Sequence, residues 1–284
     1  MTQVLVAGAL HYDVIVDAPR MPALDETLPG SGVAYAFGGK GGNQAVAAAR
    51  HGASTAFVGR VGDDGAGRFL TAALDTAGVD RAQVATDLDH ASGMSVAIVT
   101  ETGDYGAVIV SGSNAFIDAD AASVPAGAAV VLLQNEVPEA VNLAVARKAV
   151  AAGARVILNA APARALSPDL AALVDIAMVN RVEVEALTGH SFPLVIETRG
   201  GEGAVARYLE GGAIVIPAPK VPVVSTHGAG DCFAGAFAAR LALGDDEPEA
   251  LRYAVAAAAL HVEAEPDRRK DITPGTVLEL MERL

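Results

Sequence analysis

Two glycine-rich runs hold the residues best able to do chemistry. The first is Gly38-Gly39-Lys40-Gly41-Gly42-Asn43, and the second is Thr226-His227-Gly228-Ala229-Gly230-Asp231. In each, small residues stand directly ahead of a stretch with helical period. Such residues let a ligand approach the backbone closely, and the oriented N–H groups of a helix N-terminus favour an anion there. Lys40 and Asn43 add polar groups suited to an oxygen-rich ligand. Gly228, Ala229 and Gly230 could form an anion hole for charge that grows during phosphoryl transfer, with Asp231 as general base toward a hydroxyl. A plainer reading stays open for each run: a tight turn before a helix, and a carboxylate placed for helix electrostatics. The first run lacks GxxxxGK[ST] spacing and is not a dinucleotide GxGxxG after the first strand.

The elements that must position these runs alternate. Strand-type segments are expected at Val4–Leu10, Ser54–Arg60, Ala129–Gln134, Arg155–Asn159 and Ile176–Asn180. Helices are expected at Gly41–His51, Gly65–Ala77, Pro138–Ala152, Arg181–Thr188, Ala229–Leu243, Glu247–Val262 and Pro274–Leu284. Continuous apolar strands between helices predict an α/β fold with a mostly parallel sheet covered on both faces. Two segments break the alternation, at about 13–37 and 94–111. The second has a hairpin turn expected at Glu101-Thr102-Gly103-Asp104. These segments read either as a small β-lid outside the main sheet or as ordinary surface hairpins. Ligands of open α/β sheets bind beyond the carboxyl ends of the strands, where a lid would exclude water.

The chain has 284 residues, 52% hydrophobic, with a net charge of -14. That balance argues against disorder and against nucleic-acid partners. Its one cysteine, Cys232, cannot form an intrachain disulfide framework and reads as a small core residue. The apolar stretches Ala129–Leu133, Val141–Val150 and Ala254–Leu260 are too short for a bilayer or are interrupted by Arg147 and Lys148. A cytoplasmic protein with no membrane partner is expected, since no basic region precedes the first apolar run. Arg268-Arg269-Lys270 reads as a solvated basic run, and His51, His90, His190 and His261 lack metal-ligand spacing.

Taken together, the runs resemble a known family. Gly38–Asn43, continuing through Ala45, Gly52 and Gly62, resembles the first signature of the ribokinase-like (PfkB) carbohydrate kinases, and Ser225–Phe237 resembles the second. Asn180-Arg181-Val182-Glu183 matches the family's NxxE element, and Gly59–Asp64 its glycine turn. Leu133–Glu136, Asn159–Arg164 and Glu185–Gly189 are worded most like the ribokinase branch. The resemblance runs from Val4 to about Leu260. It implies one Rossmann-like domain over 1–284 with a β-lid that often clasps a homodimer. It also implies ATP- and Mg²⁺-dependent phosphorylation of a sugar's primary hydroxyl, with D-ribose the leading substrate.

Position by position, the resemblance makes Asp231 the base and the N–H groups of Gly228, Ala229 and Gly230 the phosphoryl site. His11, Asp13, Gly39, Lys40, Asn43 and Glu136 match sugar-contacting positions. Asn180, Thr198, Gly200 and Gly203 would meet the nucleotide, with Glu183 holding Mg²⁺ through water. Four departures stand out. His11 replaces an Asn. Ser225 replaces an Asp tied to a monovalent-cation site, and Glu263–Lys270 lacks a glycine-bearing turn, which leaves K⁺ activation open. Only eight residues separate Gly189 from Thr198, so one outer helix is expected to be missing. The loop Glu197–Gly203 is unusually charged. Rival readings are a nucleoside kinase acting on the ribose 5′-hydroxyl and a non-catalytic sugar- or nucleotide-binding regulator.

Overall fold

Nine strands make the main sheet of the computed structural model, which describes residues 3–102 and 104–283. Met1, Thr2, Gly103 of the expected hairpin turn and Leu284 of the expected last helix lie outside the described residues. The strands are β1 (Val4–Ala7), β4 (Thr55–Gly62), β5 (Asp80–Asp87), β8 (Val130–Gln134), β9 (Arg155–Asn159), β10 (Ile176–Asn180), β11 (Leu194–Thr198), β12 (Ala204–Tyr208) and β13 (Ala213–Ile216). Their spatial order is β13-β12-β11-β10-β9-β8-β1-β4-β5. Pairing is parallel from β5 through β11, while β12 and β13 join antiparallel. The chain leaves β1 toward β4 on one side and β8 on the other, so the strand order reverses at β1, where open α/β sheets form crevices.

Helices α1 (Lys40–Arg50), α2 (Gly65–Thr76), α5 (Ala229–Leu243), α6 (Glu247–Glu263) and α7 (Pro274–Met281) pack on one face. Helices α3 (Glu139–Ala151) and α4 (Pro168–Ala171) pack on the other. Small residues let α1 and α5 approach closely. A Cβ on Gly235 would lie 2.4 Å from the Gln44 carbonyl oxygen. That approach brings the two glycine-rich runs, nearly two hundred residues apart, into one place.

A second sheet of four strands carries β2 (His11–Ala18), β3 (Gly32–Gly38), β6 (Met94–Thr100) and β7 (Tyr105–Val110) in the order β3-β2-β6-β7. It matches the segments expected outside the main sheet. Register places Tyr35, Val14, Val96 and Val108 in one row across all four strands. Tyr35 is 58% exposed and Val108 68%, so this row turns apolar surface to solvent.

Two expectations need correction. The helix predicted at Arg181–Thr188 is only a 3-10 turn, Glu183–Leu187. Asn180 pulls the local backbone into a turn: its Oδ1 accepts from the N–H groups of Val182 and Glu183 at 2.8 and 2.9 Å. The side chain thus competes with helix hydrogen bonding. β10 therefore reaches its parallel neighbour β11 without a crossover α-helix, in keeping with the short segment seen in the sequence. The second correction concerns Arg269, which is not simply solvated. Its guanidinium donates to three backbone carbonyls.

Candidate active site

The base candidate is fixed by both glycine-rich runs. Asp231 lies in the first turn of α5 and is buried. Its Oδ1 accepts from Gln44 Nε2 at 2.9 Å, and its Oδ2 from Asn43 Nδ2 at 3.4 Å. Burial raises its pKa, opposed by the Lys40 charge and by these two hydrogen bonds. A carboxylate with a raised pKa is a stronger base toward a hydroxyl. Gln44 was not singled out from sequence, although it directly follows the first run, because a glutamine on a helix ordinarily reads as solvated.

Gly228 caps α5 in the left-handed region, at φ 76°, which only glycine adopts without strain. The Ala229 N–H donates to the Thr226 carbonyl at 3.2 Å. Among the described residues, the N–H groups of Gly228 and Gly230 have no acceptor, and a Cβ on Gly230 would meet nothing within 4 Å. The free donors of this helix start among those residues are thus those of Gly228, Gly230 and Asp231, while the Ala229 N–H is already used.

On the side of the second sheet, Asp13 and His11 come from β2 and Gly39 from the turn into α1. Gly39 has φ 86°, and a Cβ there would lie 2.5 Å from the Ala9 carbonyl oxygen. A Cβ on Gly38 would sit 2.1 Å from the Asp13 carboxyl. Those glycines let β2, the end of β1 and α1 converge. The Lys40 N–H donates to Glu136 Oε2 at 2.6 Å. Burial lifts the Glu136 carboxyl to about 7, with Asp231 and Asp13 nearby adding to the rise. Burial likewise lifts Asp13 to about 6 and lowers His11 to about 4, which keeps His11 neutral near pH 7. His11 is 2% exposed and its Nε2 is buried without a partner. An open cleft of about 690 Å³ separates Asp13, Ser95 and Ala97 from Thr226 and His227.

Across Gly230 lies a second cavity of about 570 Å³. Asn180, Thr198, Gly200, Gly203, Lys220 and Val255 are among its walls. Gly203 is required there, since a Cβ would fall 1.9 Å from the Ile216 carbonyl oxygen. A smaller gap of about 70 Å³ joins Lys40, Asn180, Glu183, Thr198 and Gly230. Glu183 Oε2 accepts the Asn180 N–H at 2.9 Å. The charged loop neutralises itself: Glu197 pairs with Arg199 and Arg207, which hold its carboxyl down to about 2.

The family model for pfkB family carbohydrate kinases matches residues 1–270. The chain belongs to this family. Among curated relatives of this carbohydrate kinase, it is 32% identical to ribokinase of Haemophilus influenzae over 301 residues, covering 98% of this chain and 97% of that protein. It is 35% identical to ribokinase of Bacillus subtilis over 277 residues, covering 92% and 93%. Among solved structures, Arabidopsis thaliana ribokinase complexed with ribose and ATP superposes with a TM-score of 0.90 at 29% identity, covering 99% of both chains.

Of the predicted site residues, Asp13, Lys40, Asn180, Glu183, Thr198, Gly200, Gly203, Ala229 and Gly230 border one of these cavities. Asn43 and Glu136 bond within the cluster between them, whereas His11 borders none of them and its ring Nε2 has no partner among the described residues. Cys232, next to the base, is buried, and its thiol is pushed up to about 12, which leaves it unreactive.

Proposed function

We propose that this protein transfers the γ-phosphoryl group of ATP to the primary hydroxyl of D-ribose. The observation that carries the reading is Asp231 beside the unbonded N–H groups of Gly228 and Gly230, held by Asn43 and Gln44 from the other glycine-rich run. The named activity of the ribokinase relatives supports the substrate. The sugar is read as lying between Asp13, His11, Gly39, Lys40, Asn43 and Glu136, and the nucleotide along Asn180, Thr198, Gly200 and Gly203. The chain 1–284 then works as one kinase domain, with the four-stranded sheet as its lid and as the clasp of a homodimer. A cytoplasmic location accords with substrates of central sugar metabolism. No helix among the described residues is long and apolar enough to cross a membrane.

In the transfer, Asp231 takes the hydroxyl proton. The freed oxygen bonds to the γ-phosphorus as the bond to the ADP oxygen breaks. The Gly228 and Gly230 N–H groups meet the charge that spreads over the transferring oxygens. The buried carboxylate of Asp13 and the half-buried one of Glu136 accept hydrogen bonds from sugar hydroxyls and would be left unpaired by an analogue lacking them, which sets specificity. Mg²⁺ would neutralise the phosphates. Among the described residues Glu183 belongs to no cluster of metal-ligating side chains, which fits an ion that arrives on the nucleotide and keeps its waters.

The test is ADP release over a panel of pentoses, hexoses, ketodeoxy acids and nucleosides. D-Ribose is expected to give the highest kcat/KM, and a preferred nucleoside or hexose would refute the substrate. Asp231→Asn is expected to lower kcat by about 10²- to 10⁴-fold while calorimetric ATP binding persists. Turnover like the wild type in that variant would refute the base.

A further inference from the structure

Arg269 lies on a 3-10 turn, Pro266–Asp271, just after α6. Its Nε donates to the His261 carbonyl at 3.1 Å, its Nη1 to the His227 carbonyl at 3.0 Å, and its Nη2 to the Ser225 carbonyl at 3.0 Å. His261 Nε2 also donates to the His227 carbonyl, at 2.9 Å. Among the described residues no carboxylate pairs with Arg269, while its neighbours Arg268 and Asp271 form a surface pair of their own. A half-buried guanidinium that meets only carbonyl oxygens is unusual. Such oxygens ordinarily gather around a cation, and here the side chain supplies it.

The position matters because His227 shares a peptide bond with Gly228. A trans peptide is planar, so the His227 carbonyl and the Gly228 N–H point in opposite directions. Holding that carbonyl on Arg269 and His261 therefore fixes the aim of one of the free donors at this helix start. The Ser225 bond fixes the loop two peptides earlier, and the Val262 carbonyl anchors the N–H groups of Val224 and Ser225 at 2.8 and 3.2 Å. The guanidinium also places a full positive charge behind the helix start, where the transferring oxygens gain charge.

A potassium ion does not fit here. The carbonyls of Ser225, His227 and His261 are already taken, and Ser225 supplies no carboxylate. We infer that Arg269 is a resident cation and a positioning residue for the Gly228–Gly230 anion hole, so that phosphoryl transfer needs no added monovalent cation. The inference rests on the kinase reading above.

The deciding experiment measures initial rates of ADP release in tetramethylammonium buffer with and without added K⁺. Wild-type enzyme is expected to turn over fully without K⁺ and to gain nothing from it. Arg269→Ala is expected to lose about ten- to a hundredfold in kcat, with little change in KM for the sugar. Guanidinium or K⁺ should restore part of that loss by entering the vacated carbonyls, and Arg269→Lys should retain part of it unaided. Wild-type turnover that appears only with K⁺ overturns the inference and leaves the kinase reading intact, whereas no turnover in any salt overturns both. Full kcat of Arg269→Ala without K⁺ overturns the inference. So does a loss that neither ion restores in a variant with the wild-type melting temperature. Should Arg269→Ala fail to fold, the wild-type titration and Arg269→Lys decide alone.

Discussion

Glu136 shows how the site trades stability for function at the scale of one residue. Its carboxyl is raised from 4.5 to about 7, chiefly by burial. Between those values the folded protein holds a proton that the unfolded chain releases. Stability from this group is therefore present at low pH and is lost as pH rises through that window. Glu136→Gln keeps an acceptor for the Lys40 N–H but carries no charge. It is expected to raise the stability of the ligand-free protein above neutral pH by on the order of 1–3 kcal/mol, to flatten the pH slope, and to lower kcat/KM. Thermal melts across the pH range check this, and an unchanged slope would count against it. At this scale much was legible, because Lys40, Asn43 and Asp231 are polar residues within the glycine-rich runs, and the family resemblance pointed to Asp13. Gln44 and Arg269 were not. Each belongs to a type that ordinarily stands in water, and only contacts distant in sequence give it a role.

At the scale of elements, the site depends on how closely α1 meets α5. Gly235 permits that approach, since a Cβ there would lie 2.4 Å from the Gln44 carbonyl and 2.6 Å from the Ala47 Cβ. Gly235→Ala is expected to cost about 1–3 kcal/mol in urea unfolding, by overpacking. It should also lower kcat, because a shift of α1 carries Asn43 and Gln44 away from Asp231. A variant with normal stability and kcat would show that the helices have slack. The missing crossover helix after β10 belongs to this scale too. The short spacing between Gly189 and Thr198 announced it, yet the pattern at Arg181–Thr188 still read as helical. The period of apolar residues cannot show that Asn180 captures two N–H groups first. The strands β5, β11, β12 and β13 were also missed, since strands toward the sheet edges lack the long apolar run that marked β1 and β8.

For the whole molecule, the four-stranded sheet poses a question of partnership. The row Tyr35, Val14, Val96 and Val108 continues alongside exposed Val33 and Val110. Exposed apolar rows of this extent favour a cover. A homodimer through this sheet is expected in sedimentation, and Val108→Glu should shift it to monomer. A wild-type monomer at assay concentrations would rule the clasp out. The sequence by itself determined the family, the α/β alternation and the two glycine-rich runs, because chain chemistry and spacing are local properties. The tertiary structure alone decided which N–H groups remain free for an anion and why Asp231 is held by Asn43 and Gln44. It also decided that Arg269 is gathered by carbonyls from three positions, since burial and hydrogen-bond partners arise only when distant segments pack.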